Sequence, residues 1–336
     1  MLTRRALLAL AAGTLAAAPA PFAARAAPQQ TIRLSILQFG TAAWELAAMA
    51  ALGLDTAHGI TVEARRAANN DAGRLAFLAE AVDGVVSDLL WAARLKAEGR
   101  DLLYLPFSTG EGAVMVAPGG PVKRLADLDG LRLGVAGGPL DKSWLLLQAH
   151  ARQSAGLDLA RAARLSFGAP PLLAAKLEQG ELDAALLYWT FAARLEARGF
   201  VRLMGMDEVV AAFGIAPPPA LVGYVFHGAF ARAEPAVIEA FAAASRAAKA
   251  ALAGTGPAAD TGWAAARSVM QAGDEATFAA LRRGFIAGIP SRPPAEEKAA
   301  AARLLEVLAQ AGGGSLLGPV RGLPEGLYWT AGAGAP

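Results

Sequence analysis

From about residue 31 the chain alternates strand-like with helix-like stretches, and this alternation restricts it to folds in which helices cover parallel sheets. Ile32-Arg33-Leu34-Ser35-Ile36-Leu37 has the period of two of a half-buried strand and stops at Gly40. Thr41 is placed to start a helix through Trp44, Leu46, Met49 and Leu52, closed by Gly53. The pattern then predicts a strand at 60–64, a helix at 74–81, a strand at 84–86, a helix at 89–98, and strands at 102–107 and 113–117. Pro118-Gly119-Gly120-Pro121 reads as a linker. Beyond it come a strand at 132–136, a helix at 143–155, a strand at 164–167, a helix at 171–179 and a strand at 184–188. Ala216-Pro217-Pro218-Pro219 precedes a strand at 221–226, and the rest, to about residue 310, reads as helix with starts at Glu234-Pro235 and Asp274. No short internal repeat is evident.

The N-terminus has a different character. Arg4 and Arg5 precede the apolar run Ala6-Leu7-Leu8-Ala9-Leu10-Ala11-Ala12, no acidic residue follows up to Ala26, and Ala24-Arg25-Ala26 is a small-x-small cleavage site. Residues 1–26 are therefore expected to be a secretory signal peptide, cleaved near Ala26/Ala27, and Thr3-Arg4-Arg5-Ala6-Leu7-Leu8 fits both the twin-arginine and the general export route. The apolar run is too short to span a bilayer. This leader holds three of the 31 basic residues and none of the 29 acidic ones, so the remainder is nearly neutral, at −1. No basic cluster follows it, and no nucleic-acid partner is expected. With no cysteine in the chain, disulfides, zinc–thiolate sites and thiol nucleophiles are excluded. About 310 residues remain, enough for two compact domains. No later apolar run reaches membrane-spanning length, so the mature protein is expected to be soluble.

Three stretches carry a family resemblance: Val82-Asp83-Gly84-Val85-Val86-Ser87-Asp88, Leu125-Ala126-Asp127-Leu128-Asp129-Gly130-Leu131-Arg132-Leu133-Gly134-Val135, and Leu177-Glu178-Gln179-Gly180-Glu181-Leu182-Asp183-Ala184-Ala185. In order and spacing they resemble the NMT1/SsuA-like substrate-binding proteins of ABC transporters, over residues 31 to 290 or so. Members of that family bind nitrate, sulfonates, taurine, bicarbonate or thiamine-pyrimidine precursors. The resemblance implies an α/β, two-lobed periplasmic binding protein of type II with a hinged interlobe cleft. Lobe one is expected at 31–117 and 222–330 and lobe two at 118–221. Gly137-Gly138-Pro139-Leu140-Asp141-Lys142-Ser143-Trp144 and Ala169-Pro170-Pro171-Leu172-Leu173 are also similar to a subgroup found beside quinoprotein alcohol dehydrogenase systems.

In open α/β sheets ligands sit beyond the carboxyl ends of strands, where loops feed helix N-termini. Five such turns define the candidate site. They are Gln38-Phe39-Gly40-Thr41 with Trp44; Ser87-Asp88 with Trp91; Gly138-Pro139 with Asp141 and Trp144; Ala169-Pro170; and Tyr188-Trp189. Four of the six tryptophans fall in or just after these turns, which favours an aromatic-lined cleft, although each ring is equally suited to packing its helix on the sheet. Thr41 and Asp88 fit helix caps as well as ligand contacts. Asp141-Lys142 fits a ligand clamp or, slightly better, a solvated pair. Gly223-Tyr224 fits a hinge and pocket floor or a close strand crossing. Trp189 is expected to stack on the ligand, or on Trp44 once the lobes close.

Enzyme motifs are lacking. Lys142-Ser143 suggests a phosphate loop, but Ala136 and Asp141 stand where its glycines belong. Gly-x-Ser-x-Gly is absent, His58, His150 and His227 are scattered, and the pyrimidine synthases that share the family fold use cysteine and histidine chemistry. The expectation is a monomeric, non-enzymatic solute-binding protein with no cofactor and no metal. It would hand a small molecule to an inner-membrane ABC permease; the alternatives are an adaptor for a periplasmic dehydrogenase and a pyrimidine-synthase-like enzyme. The aromatic content and scarcity of charge favour a neutral or aromatic ligand, with Lys142, Arg65 and Arg66 as the cations available to an anion.

Overall fold

The computed structural model describes residues 30–312 and 314–330, so the expected leader and its cleavage site lie outside the described residues. The chain opens with β1 (Gln30–Leu37), α1 (Ala42–Ala51), α2 (Leu54–Ala57), β2 (Ile60–Ala67), α3 (Asn70–Leu78), β3 (Gly84–Asp88), α4 (Leu89–Ala97) and β4 (Leu102–Ser108). A second series follows: β5 (Gly112–Val116), β6 (Arg132–Ala136), α5 (Lys142–Ala155), α6 (Leu159–Ala162), β7 (Arg164–Gly168), α7 (Pro170–Glu178), β8 (Ala184–Tyr188), α8 (Trp189–Ala197), β9 (Val201–Gly205) and α9 (Met206–Ala212). The chain then returns through β10 (Val222–His227) to α10 (Gly228–Ala233), α11 (Pro235–Ala253), α12 (Pro257–Met270), α13 (Glu275–Ala287), α14 (Pro294–Gln310) and α15 (Gly314–Leu317). Among the described residues no helix is long and apolar enough to cross a membrane.

Two five-stranded sheets result, ordered β2-β1-β3-β10-β4 and β7-β6-β8-β5-β9. They share one plan. Three parallel strands form one side, and the fourth strand runs antiparallel to both of its neighbours. That strand is in each case the first one after the chain crosses from the other sheet, β5 following β4 into the second sheet and β10 returning after α9 to the first. The sheet boundary therefore falls before β5, at residues 109–111, whereas the sequence reading put 113–117 in lobe one and the crossing at 118–121. The physical reason is burial: β5 is buried at all five positions, as a strand enclosed by β8 and β9 must be, and Pro118 to Pro121 form only a turn within the second lobe. The strand β9 and helix α9 were not anticipated, since an edge strand with a mostly exposed, weakly alternating face gives little pattern. The helix α3 begins at Asn70 rather than 74, because the Asn69 side chain accepts the Ala72 N–H at 2.8 Å.

The C-terminal helices are also shared more widely than expected. Helices α11 and α12 cover lobe one against α1, but α13 packs on α8 and α14 on α5, both in lobe two. Trp44, Phe241, Trp263 and Phe285 fill the space between the first sheet and α11–α13.

A repeated ion pair pins the amino end of each sheet. Asp83, just before β3, accepts the Arg33 backbone N–H at 2.8 Å and two guanidinium N–H groups at 3.1 and 2.5 Å. Asp183, just before β8, does the same with Arg132 at 2.8, 3.0 and 2.7 Å. The return bonds, Asp83 N to Arg33 O and Asp183 N to Arg132 O, are both 2.9 Å. Burial alone would raise the Asp83 carboxyl, but the Arg33 hydrogen bonds outweigh it and hold the group below its ordinary value. A depressed folded pKa gives stability that is present above the unfolded pKa and lost as pH falls through the folded one. We expect Asp83→Asn to cost about 1.5–3 kcal/mol at neutral pH and to flatten the acid limb of stability, as measured by urea unfolding from neutral into acid solution.

Candidate functional site

The site follows from where the two antiparallel strands β5 and β10 begin. Gly112, first in β5, pairs with Tyr188 at the carboxyl end of β8, and Val222, first in β10, pairs with Asp88 at the carboxyl end of β3. Both crossings thus run along the carboxyl edges of the two sheets, where ligands of open α/β sheets bind. The loop from α13 to α14 and the first turn of α14 fasten both of them. Gly288 O accepts the Thr109 N–H at 2.9 Å, Arg292 donates to Pro217 O, and Glu297 Oε1 accepts the buried Ala220 N–H at 2.7 Å. The Tyr104 hydroxyl adds a bond to Ala220 O at 2.9 Å.

Charged groups of both lobes meet at this edge. From lobe one, Asp88 caps α4 through the Trp91 N–H at 2.9 Å and holds Arg74 at 2.5 Å. Arg74 also donates to Ser87 Oγ at 3.0 Å and lies 5.0 Å over the Trp91 ring. From lobe two, Asp141 caps α5 by accepting the Ser143 and Trp144 N–H groups at 2.9 and 3.3 Å. Lys142 reaches Glu111 of the first crossing at 2.9 Å, with the two side chains 17% and 9% exposed. Glu111 Oε1 is buried and has no hydrogen-bond partner. A Cβ on Gly137 would lie 2.9 Å from Asp141 Oδ2 and 3.1 Å from the Tyr188 hydroxyl, so Asp141 and Tyr188 converge over that glycine.

One electrostatic field links these groups. Burial would lower Lys142, but Glu111, Asp141 and Asp88 outweigh it and hold the ammonium above its ordinary value. Burial raises Glu111, with Lys142 opposing and Asp141 and Asp88 adding. Asp141 is likewise raised by burial, against the pull of Lys142 and the α5 N–H groups. Asp88 acts from lobe one on all three, so the two lobes share a single, negatively biased centre. A cavity of about 470 Å³ opens on the flank of the crossings, lined by Glu111, Trp189, Arg202, Pro217 and Arg283 among others. Among the described residues no His, Asp or Glu group is arranged to hold a metal.

Several sequence-derived residues sit on the carboxyl-edge turns. Gln38 and Phe39 are exposed, Gly40 and Thr41 half-buried, and the Thr41 hydroxyl makes no cap bond. Gly138 and Pro170 are half-buried, and Pro139 and Ala169 exposed, on the turns into α5 and α7. Ser87 is buried against Arg74, and Trp91 lies edge-on to Phe77 at 5.9 Å. Three residues belong to the core instead. Trp44 and Trp144 are 2% exposed, packed on Phe285 and Phe167, because an indole that follows a helix start by one turn lands on the sheet. Tyr224 is fully buried and donates to Glu45 Oε1 at 3.0 Å, within a network completed by Ser245 and Lys249.

Trp189 lies between the lobes. Its ring meets Trp44 edge-on at 5.7 Å, in a slot where a Cβ on Gly110 or Gly284 would come within 3.0 or 2.6 Å of it. Asp141 and Lys142 are not a solvated pair, since Lys142 turns to Glu111. Arg65 and Arg66 are exposed on the edge strand β2. Arg74 and Glu111 were missed; the one sequence signal for Glu111 is its place between Gly110 and Gly112 where two strands abut.

Two outcomes check this placement. We expect Gly284→Val to expel the Trp189 ring and loosen the lobe contact, seen as a red-shifted tryptophan emission and a larger radius of gyration. We expect Tyr224→Phe to cost about 1.5–3 kcal/mol in chemical unfolding, for a lost hydrogen bond to a buried carboxylate, with ligand affinity unchanged.

No family model matches the chain, and no curated protein does. Solved structures match along most of its length. The periplasmic aliphatic sulphonate binding protein SsuA from Escherichia coli superposes with a TM-score of 0.68 at 17% identity, covering 88% of this chain and 96% of that one. The alkanesulfonate-binding protein SsuA from Xanthomonas axonopodis pv. citri, bound to MOPS, gives 0.66 at 16% identity, with 90% and 99% covered. The desulfurization enzyme DSZB gives 0.57 at 16% identity, with 84% and 93% covered. One of these neighbours is an enzyme, so the architecture alone does not assign chemistry. At such identities the likeness is one of fold: the chain has the two-lobed α/β fold of periplasmic binding proteins.

Proposed function

We propose that this protein is the exported solute-binding component of an ABC importer, which captures a small organic molecule by closing its lobes and presents the closed form to a membrane permease. The observation that carries this reading is the shared carboxyl edge. Asp88 of lobe one and Asp141, Lys142 and Tyr188 of lobe two converge beside Glu111 on a strand crossing. A ligand bridging such groups favours the closed arrangement, and only differential affinity for it can drive the closure. The leader with Arg4 and Arg5 supports export to the periplasm. The absence of cysteine removes the nucleophile that a pyrimidine-synthase-like reaction would use.

The test is native mass spectrometry of the protein purified from its own periplasm, followed by melting and scattering measurements with the molecule released. A stoichiometric small molecule is expected. At a hundredfold excess over its dissociation constant it should stabilise the protein by about 2.7 kcal/mol and shrink the radius of gyration. Capture of a periplasmic dehydrogenase with no small molecule, or turnover of the bound compound, would count against the proposal.

A further inference from the structure

On the premise that the cleft binds a solute, its chemistry constrains which kind. We infer that the cleft is built for an organic amine, a cationic N–H donor carried on an apolar body, and not for an oxyanion.

Three observations converge. The first concerns charge. The convergent groups are the carboxylates of Asp88, Glu111 and Asp141 against the cations Arg74 and Lys142, an excess of one negative charge. Neither cation is free, since Arg74 is held by Asp88 at 2.5 Å and Lys142 by Glu111 at 2.9 Å. The second is the orphan acceptor. Glu111 has a side chain only 9% exposed, and its Oε1 has no partner. A buried carboxylate oxygen without a donor is costly, and a ligand N–H would relieve it.

The third is that several of the usual oxyanion sites at this edge are already engaged. Helix N-termini bind oxyanions through free N–H groups, yet α4 and α5 are capped by the chain's own Asp88 and Asp141. Helix α7 opens with Pro170 and Pro171, which have no N–H to offer. At α8 the Trp189 N–H goes to Glu111 O at 3.2 Å, and at α1 the Ala43 and Trp44 N–H groups go to Gly40 and Thr41 carbonyls. A sulfonate entering beside Asp88, Glu111 and Asp141 would meet carboxylates first, the cations Arg202 and Arg283 lining the cavity on the flank of the crossings. The apolar part of the ligand has its own surface. Phe39 and Leu140 on carboxyl-edge turns, Phe167 and Tyr188 near the carboxyl ends of β7 and β8, and Leu172 in the first turn of α7 are 40–61% exposed and offer it apolar surface.

Calorimetry on the ligand-stripped protein at neutral pH tests this with three probes of one shape: phenethylamine, phenethyl alcohol and phenethylsulfonate. The amine should bind at least tenfold more tightly than the alcohol, and the sulfonate should give no heat. Glu111→Gln should weaken the amine at least tenfold and leave the alcohol within a factor of two or so. Should that variant fail to fold, Phe39→Ala, on an exposed turn, should weaken amine and alcohol alike with the melting temperature unchanged. Sulfonate binding at or above the amine's affinity would overturn the inference, and so would silence from all three probes. In either case a small molecule retained in native mass spectrometry keeps the solute-binding reading intact. No retained molecule, and no stabilisation by any compound of a broad metabolite set, would instead bring down that reading.

Discussion

In each sheet the first strand after a crossing runs antiparallel between two neighbours, and the rest of the molecule depends on this arrangement. An antiparallel strand must start at the edge where its parallel neighbour ends, as Gly112 does opposite Tyr188 and Val222 opposite Asp88. Both crossings are thereby drawn to the carboxyl edges, and those edges also carry the turns that feed helix N-termini. Hinge and cleft are consequently one piece of structure. The loop from α13 to α14 bonds to the crossings at Thr109 and Pro217 and the first turn of α14 bonds at Ala220, so the last third of the chain holds the hinge in register. Trp189, wedged among Trp44, Gly110 and Gly284, adds an apolar contact that any relative motion of the lobes must disturb.

The electrostatics divide along the same line. At the amino edges, Asp83 with Arg33 and Asp183 with Arg132 are closed structural clamps, each carboxylate bonded to a backbone N–H and a guanidinium. The Glu45 and Lys249 pair is closed too: it lies in the core of lobe one, bonded to Tyr224 and Ser245 and roofed by the Phe107 ring at 4.9 Å from the ammonium. Buried pairs of this kind hold only when their remaining hydrogen-bonding capacity is met. The group at the carboxyl edges is different, because Glu111 keeps an oxygen without a partner while anions outnumber cations around it. The fold shared with SsuA does not by itself assign a ligand to this chain.

Much of the fold was legible in the residues. Period-two strands such as β1, the fully apolar stretch of β8, and caps such as Asp88 and Asp274 report local preferences that tertiary packing does not reverse. The carboxyl-edge turns were legible for the same reason, as strand ends followed by helix starts. Tertiary structure decided what local pattern cannot encode. Whether β5 belongs to the first sheet or the second depends on which strands flank it, and its apolar sequence satisfies both; Pro118 to Pro121 looked like the crossing because linker composition also suits a surface turn. An indole after a strand end is apolar in cleft and core alike, so only the fold could send Trp44 and Trp144 to the core and Trp189 to the lobe boundary. Ion pairing was the least legible property of all. Lys142 is adjacent to Asp141 in sequence yet bonds Glu111, 31 residues earlier, because the crossing brings that carboxylate under the start of α5, and such long-range proximity exists only once the two lobes are assembled.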